Sequence, residues 1–244
     1  MNDQEQPPRK SIGRPYPSSD QPPTWRLDHL SRVGWLSEQP EDFQLRMAEL
    51  GRWTSIARGR QLYSAGGKAD ALYGIGTGLI DIAIPILADE QCVVHRATAG
   101  FWIGDGALIP DAPRTLSVEA VTDCRLFRIP FPVLRRHLAE TPGDWEYIHR
   151  LSTINATLAV RILSEVLSLP PSVRVARLLL RLAAPDGTVA STHEELGRLA
   201  GMSRATFRRS LSQLIGTGAV ETRYNVIKIT DLSAVEAQAK IAIS

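Results

Sequence analysis

The spacing of hydrophobic positions changes character along the chain, and each change marks a structural unit. Residues 1–24 carry no apolar rhythm, only Pro7, Pro8, Pro15, Pro17, Pro22 and Pro23 scattered among Ser, Gln and charged residues. Such a segment cannot bury enough hydrocarbon to offset the entropy of ordering it and is expected to be a disordered tail. From Leu27 to Leu50 the apolar residues Leu30, Val33, Leu36, Phe43, Leu45, Met47 and Leu50 predict short helices interrupted at Pro40. Between Trp53 and Ile129 the runs become short, β-rich and punctuated by glycine: LYSAGG, ALYGIGTGLIDIAI, QCVVHRATAG, TLSVEAV and CRLFRIP. Many short strands separated by turns predict a sandwich or roll.

Phe131 to Leu138 reads as a short helix, and Asp144 to about Ser168 contains neither Gly nor Pro. Within that second stretch Ile148, Leu151, Asn155, Leu158, Ile162 and Leu169 fall on a seven-residue repeat broken at Glu165. This predicts a long helix with an apolar seam. The seam can be buried against the roll or can pair with a second copy, where a lone Asn would set the register. Pro170-Pro171 ends the helix and marks a domain boundary, and Val175, Leu178, Leu179 and Leu182 predict a further helix over 174–183.

Residues 191–214, STHEELGRLAGMSRATFRRSLSQL, then give two amphipathic helices around a glycine turn. Thr192 followed by Glu195 is a capping box, Leu196, Leu199 and Ala200 form the first buried stripe, and Gly201 stops the helix. Ser203 is the N-cap of the second helix, whose stripe Phe207, Leu211 and Leu214 leaves Arg204, Arg208 and Arg209 outside. Cations at an exposed helix start suit a major groove, because guanidinium can donate twice to the edge of guanine. The following AVETRYNVIKITD holds β-formers on either side of Tyr224-Asn225 and reads as a hairpin wing.

Charge sharpens this. With 28 Lys and Arg against 26 Asp and Glu the net charge is only +2, so contact with nucleic acid must come from a local cluster. Arg174, Arg177, Arg181, Arg198, Arg204, Arg208 and Arg209 supply one, facing only Asp186, Glu194 and Glu195. Cys92 and Cys124 lie far apart in apolar runs, which excludes a zinc or iron–sulfur spacing and predicts two small core residues. No charged-then-apolar leader and no bilayer-length apolar run is present, so a cytoplasmic location and no membrane partner are expected.

The order of these parts resembles the CRP/FNR family, that of the cAMP receptor protein and the fumarate–nitrate reduction regulator. The resemblance spans roughly residues 27–232 and is carried by GMSRATFRRSLSQL (201–214), LYGIGTGLIDI (72–82) and IGDGALIPDAPRTLSVEA (103–120). It implies an α+β protein with an N-terminal β-roll (jelly-roll, cyclic-nucleotide-binding-like), a long dimerisation helix and a C-terminal winged helix-turn-helix. The expected division is a disordered tail over 1–24, an effector-sensing β-roll over 25–143, and the dimerisation helix over 144–169. The DNA-binding domain follows over 170–232, then a C-terminal tail over 233–244.

The same resemblance implies a homodimeric transcription regulator on near-palindromic double-stranded DNA, with RNA polymerase as a further partner. Arg204 and Arg209 would reach base edges, and Ala205 stands where the family carries an acidic residue that reads cytosine. Ser203, Thr206 and Arg208 would contact phosphates. The stretch 103–120 resembles the family's phosphate-binding cassette, with Gly104, Asp105, Ala107, Leu108, Arg114 and Thr115 as effector-site residues. A cyclic nucleotide or another small anionic effector is the implied ligand.

In such a cassette an arginine and backbone N–H groups neutralise the phosphate while a carboxylate accepts a ribose hydroxyl's proton. Here Asp105 replaces Glu and shortens that reach by a methylene, Gly106 adds slack, and Leu116 replaces a small residue. Ala159 and Val160 fall where the family's long helix offers hydroxyls to the base, with Thr157 nearby. The cassette is thus degraded, which weighs against cAMP and leaves the effector open. One alternative is that Arg114 pairs with Asp105 or Asp111 in a pocket that is simply filled.

Other branches of the family hold clusters or haem, but the cysteines are too few and nothing marks His95 or Cys92 as a ligand. No cofactor is evident. Two further function classes compete. A metal-dependent jelly-roll enzyme needs several converging His or carboxylate ligands, and His95 is the only histidine of the strand region, so no enzyme is expected. A helix-turn-helix used for protein contact is disfavoured by the arginines and the wing.

Overall fold

The computed structural model describes residues 23–87, 90–109 and 112–240 of the chain. The tail expected over 1–24 lies outside these residues except for Pro23 and Thr24, which begin a 3-10 helix, Pro23–Ser31. A second 3-10 turn, Trp35–Glu38, leads to α1 (Glu41–Leu50), which starts directly after Pro40. A proline fixes the entering chain and lacks only a donor that a helix start leaves unpaired anyway.

Eight strands build the roll: β1 (Arg52–Ile56), β2 (Gln61–Tyr63), β3 (Ala71–Thr77), β4 (Ile80–Leu87), β5 (Glu90–Ala97), β6 (Trp102–Ile103), β7 (Ser117–Ala120) and β8 (Cys124–Pro130). They form two four-stranded sheets, β1-β8-β3-β6 and β2-β7-β4-β5, with antiparallel pairings throughout. Alternate residues of both sheets, among them Ile75, Ile80, Val118 and Leu126, meet in a dry core between them. The other face of the first sheet is closed by α1, by α2 (Phe131–Glu140) and by the start of α3 (Trp145–Ser168) around Trp35, Phe43, Trp102 and Phe127. Trp35 and Trp102 meet edge to face at 5.5 Å. Asp144, buried at the head of α3, is clamped by Arg46 Nε and Nη2 at 2.8 and 2.7 Å and by His137 at 2.6 Å. Burial alone would raise its carboxyl, but these hydrogen bonds hold it below the usual range.

The long helix favours the first of the two readings its sequence left open, burial of the seam against the roll. Ile148 and Leu151 are buried against the chain's own roll, and Asn155 donates to the Trp102 carbonyl and to Asp105. Leu158 and Ile162 face a cavity beside the same roll. The seven-residue stripe of the sequence is therefore the face that packs within the chain, and its Asn is a latch to the roll. A different stripe, Ala156, Val160, Leu163 and Leu167, is exposed, with Val160, Leu163 and Leu167 63, 57 and 75 % exposed, and Ala156 and Leu163 of it also border the cavity. Its three- and four-residue spacing is that of a helix-pairing seam. Glu165, which breaks the first stripe, is buried and pairs with Arg177 and Arg181.

The double proline does more than end α3. Pro171 opens α4 (Pro171–Leu182), three residues ahead of the helix expected from 174, because proline is well placed in a first helical turn. After α4 come β9 (Thr188–Ala190), α5 (His193–Leu199), α6 (Arg204–Gly216), β10 (Val220–Arg223), β11 (Val226–Ile229) and α7 (Leu232–Lys240). The sheet runs β10-β11-β9 and completes the wing. Residues 233–240 are helix and not tail: Val235 and Ala239 are buried in the core of this domain, and Arg177 bonds the Ala239 carbonyl. Residues 241–244 of that expected tail lie outside the described residues.

Candidate DNA-reading surface and sensor cavity

The helix pair is built by local signals. Thr192 Oγ1 accepts from the Glu195 amide at 3.1 Å while Glu195 accepts from the Thr192 amide at 2.9 Å, a reciprocal capping box. Gly201 turns the chain at φ +63, in the left-handed region where a side chain is strained. Ser203 Oγ accepts from the Thr206 amide at 3.2 Å and starts α6. Phe207, Ser210, Leu211 and Leu214 bury one face of α6, and full burial of Phe207 contributes about 1.5–3 kcal/mol. The opposite face carries Arg204, Ala205, Arg208, Arg209 and Ser212, all exposed, with Ser203 exposed and Thr206 half-buried at its start.

Among the described residues none of Arg204, Arg208 and Arg209 has a carboxylate within salt-bridge distance. Their field reaches His193, whose imidazole is pushed down by burial first and by Arg208 and Arg204 next. The wing adds exposed Arg223, and Tyr224 at its tip is 92 % exposed. Arg223 was not among the sequence-derived site residues, because a single cation at a hairpin end has no periodic signal.

The arginine run of the sequence divides in the structure. Arg177 and Arg181 pair with Glu165, and Arg174 Nη1 donates to the carbonyls of Ala200 and Gly201. These three hold α4 to α3 and to the helix turn, so among the described residues of the run the cations left without an ion pair are those of α6 and Arg198. A further internal contact joins the roll to the reader. Arg96 of β5, 4 % exposed, takes Asp81 bidentately at 2.7 and 2.9 Å, donates to Ser191 Oγ at 2.9 Å and lies 3.7 Å from Glu195. Nothing in the local sequence announces this latch, since its partners lie 15, 95 and 99 positions away.

The predicted effector residues gather at one end of a cavity, except Leu108, which is buried in the core under the helices. Gly104 sits at φ +111, and a Cβ there would lie 2.8 Å from Arg114 Nη1 and 2.9 Å from the Ala71 carbonyl, so the position requires glycine. It opens a 3-10 turn, Asp105–Ala107, in which the amides of Ala107 and Leu108 bond the carbonyls of Gly104 and Asp105. Arg114 is buried, bonded to Asp70 at 3.0 Å and to the Ala71 carbonyl at 2.7 Å, with the Tyr63 ring stacked 4.1 Å from its guanidinium. Its partner is thus Asp70, not Asp105, and Asp111 lies outside the described residues. Asp105 accepts from Asn155 at 2.8 Å. Thr115 is exposed at the rim.

The cavity, about 810 Å³, lies between β4 and β5, this turn, α3 and the helix turn at Leu199 and Gly201. Ala159 lines it, whereas Val160 points away from it. Cys124 is buried as expected, with its thiol raised by burial, but Cys92 is exposed at the cavity. It sits on β5, the edge strand of its sheet, where no neighbouring strand covers it.

His95, on the same wall, packs 5.4 Å from the Phe101 ring. Burial, and secondarily Arg181, push its imidazole from 6.5 down to about 4. The unfolded chain takes up this proton near 6.5 and the folded chain only near 4, so between those values the unfolded state binds more protons. Stability is fully present above about 6.5 and falls as the pH drops towards 4. Thermal melts across this window should show a steeper acid loss for the wild type than for His95→Gln; parallel curves would remove His95 as the cause.

Among the described residues no group of three or more His, Cys, Asp or Glu is placed to hold a metal ion, and no helix is long and apolar enough to cross a membrane.

Residues 53–141 match the family described as cyclic nucleotide-binding domain, and residues 173–238 match the Crp-like helix-turn-helix domain. The chain is 27 % identical over 188 residues to the CRP-like cAMP-activated global transcriptional regulator of Mycobacterium tuberculosis, covering 71 % of this chain and 82 % of that protein. It is 28 % identical over 166 residues to the cAMP-activated global transcriptional regulator CRP of Escherichia coli, covering 63 and 77 % respectively. Among solved structures, a CRP/FNR-family transcriptional regulator from Thermus thermophilus superposes with TM-score 0.63 at 21 % identity, over 78 % of this chain and 99 % of that one. The c-di-GMP responsive global regulator CLP of Xanthomonas campestris superposes with TM-score 0.60 at 20 % identity, over 78 and 99 %. At these identities the two structures speak for the fold.

Proposed function

The chain belongs to the CRP/FNR family of transcription regulators, and from that premise we propose that it works as a homodimer whose two α6 helices read a near-palindromic DNA site. The observation that carries this is the face of α6 itself, exposed, cationic and without ion pairs among the described residues, on a helix whose other face is locked into the domain core. Arg204 and Arg209 are the base readers, and Ser203, Thr206 and Arg208 hold the phosphates that set the register. Ala205 offers no acceptor to a cytosine amino group, so specificity at that base pair is relaxed or altered.

The outward stripe Ala156, Val160, Leu163 and Leu167 is the dimer seam. Two copies paired along it present their readers to successive major grooves about 34 Å apart. Residues 25–143 form the sensor and residues 170–240 the reader, α7 included. The enzymatic alternative falls away because the relatives are transcription regulators.

The reading is tested by selecting sites from random duplex DNA with the full chain, then titrating the winner at increasing salt. A near-palindromic consensus is expected, with affinity falling steeply as salt rises because phosphate neutralisation releases counterions. Recovery of unrelated sequences, or affinity independent of salt, would overturn it.

A further inference from the structure

The sensor cavity is where family likeness and lining chemistry part company. Resting on the regulator reading above, we infer that its effector is an uncharged, largely hydrocarbon small molecule, aromatic or acyl, and not a cyclic nucleotide.

The polar end of the cavity is already spent. The Arg114 side chain is 2 % exposed, and its guanidinium is shared between Asp70, the Ala71 and Gly104 carbonyls and the Tyr63 ring. Its Nε is buried without a partner and out of solvent reach. A phosphate would compete for this cation with Asp70 and the Tyr63 ring, setting one buried charge pair against another. Asp105, the carboxylate for a ribose, is held by the Asn155 amide, which also bonds the Trp102 carbonyl.

The rest of the lining is largely hydrocarbon, with Cys92, His95, Thr115, Ser152 and Arg198 as its polar members. Ile82, Val94, Phe101, Ile103, Leu116 and Ile162 form the walls, and α3 adds Ala159 where a base would need a hydrogen-bonding side chain. A nucleotide would bring ring nitrogens, an amino group and hydroxyls against these surfaces and leave them unpaired, at a cost for each group. A hydrocarbon body instead gains from every wall it covers. At the mouth Ile84 and Val166 are 43 and 41 % exposed, apolar surface with nothing over it. The volume, about 810 Å³, lies in the range of small-molecule sites. Leu199 and Gly201 of the helix turn belong to the same lining, so an occupant touches the roll, α3 and the reader together. Differential contact of this kind is what lets a ligand shift the reader between poses.

The test uses N-phenyl-1-naphthylamine, a neutral probe that fluoresces when removed from water, with the full chain and its selected DNA. Saturable binding of one probe per chain is expected, with displacement by 1-decanol or by 2-naphthol separating acyl from aryl preference. Millimolar cAMP should neither displace the probe nor give saturable heat in calorimetry. Ala159→Trp and Val94→Trp, which fill the cavity from opposite walls, should each weaken the probe about tenfold or more. Displacement or calorimetric binding by cAMP, failure of the probe to saturate, or unchanged probe affinity in both folded variants would overturn the inference. DNA binding read in parallel keeps the two readings apart: a cavity that binds no apolar probe while the chain still binds its site strikes only the effector class, and a chain that binds no site strikes the regulator reading.

Discussion

Replacing Arg204 with alanine is expected to cost about 1–3 kcal/mol on the selected site, roughly five- to 150-fold in affinity, and to relax discrimination at one base pair. Arg204 stands in the first turn of α6, exposed and free of a carboxylate partner, one residue after the Ser203 cap. Its guanidinium therefore approaches DNA without first breaking an internal bond. A bidentate reader also predicts that Arg204→Lys fails to restore specificity, because an ammonium keeps the charge but loses the fork. Arg208→Ala should instead weaken all sequences alike and reduce the salt slope by about one. Equilibrium binding to the selected site and to single-base variants, at two salt concentrations, separates the outcomes. An unchanged affinity and base preference for Arg204→Ala would remove it from the readout.

The second large effect concerns α3. Val160→Glu with Leu167→Glu places charges on the exposed stripe without touching the cavity or the roll. Like charges facing each other across a paired seam should turn the chain into a monomer at micromolar concentration by sedimentation. Binding to the full palindrome should then fall about 10²–10⁴-fold towards half-site affinity, since the second half-site contact is no longer an intramolecular event. The double variant should keep its fold, because both side chains already face solvent within one chain. A variant that remains dimeric would move the seam elsewhere, and a wild-type chain that sediments as a monomer would sink the paired-groove arrangement. Substituting Asn155 should leave the dimer intact, because its amide is committed to Asp105 and Trp102 of its own roll.

The α6 reader and the α3 seam differ in how legible they are in the chain. The reader could be written from sequence down to its caps, because Thr192, Glu195, Gly201 and Ser203 act on backbone groups within three or four residues of themselves. The α3 seam could not be assigned. Two apolar stripes run along one helix, and periodicity cannot tell which meets the same chain and which is left over. The inward stripe has the stronger repeat, but Ile148 and Leu151 are buried against the roll and Leu158 and Ile162 border the cavity beside it.

The arginine run misled for a similar reason. Charge counting treats Arg174, Arg177 and Arg181 as equal to Arg204, yet buried Glu165 on the preceding helix pairs with two of them and carbonyls of the helix turn take the third. The C-terminal segment read as tail because its apolar residues are few, and it is helix because α4 gives Val235 and Ala239 a surface to bury. Helices this short take most of their stability from such packing and little from propensity.

The sequence by itself determined the order and class of the main elements, apart from β9 and α7, and the helix-turn-helix with its caps and the wing, since these follow from periodicity and from hydrogen bonds between near neighbours. Only the tertiary structure decided which face of α3 is spent within the chain and which arginines remain free. It also decided that Arg96 latches the roll to the helix-turn-helix domain and that Arg114 pairs with Asp70, 44 positions away. Those choices join residues tens of positions apart, and the energy that settles them, the desolvation of a charge against the quality of the partner waiting for it, exists only once the chain has brought both to the same place.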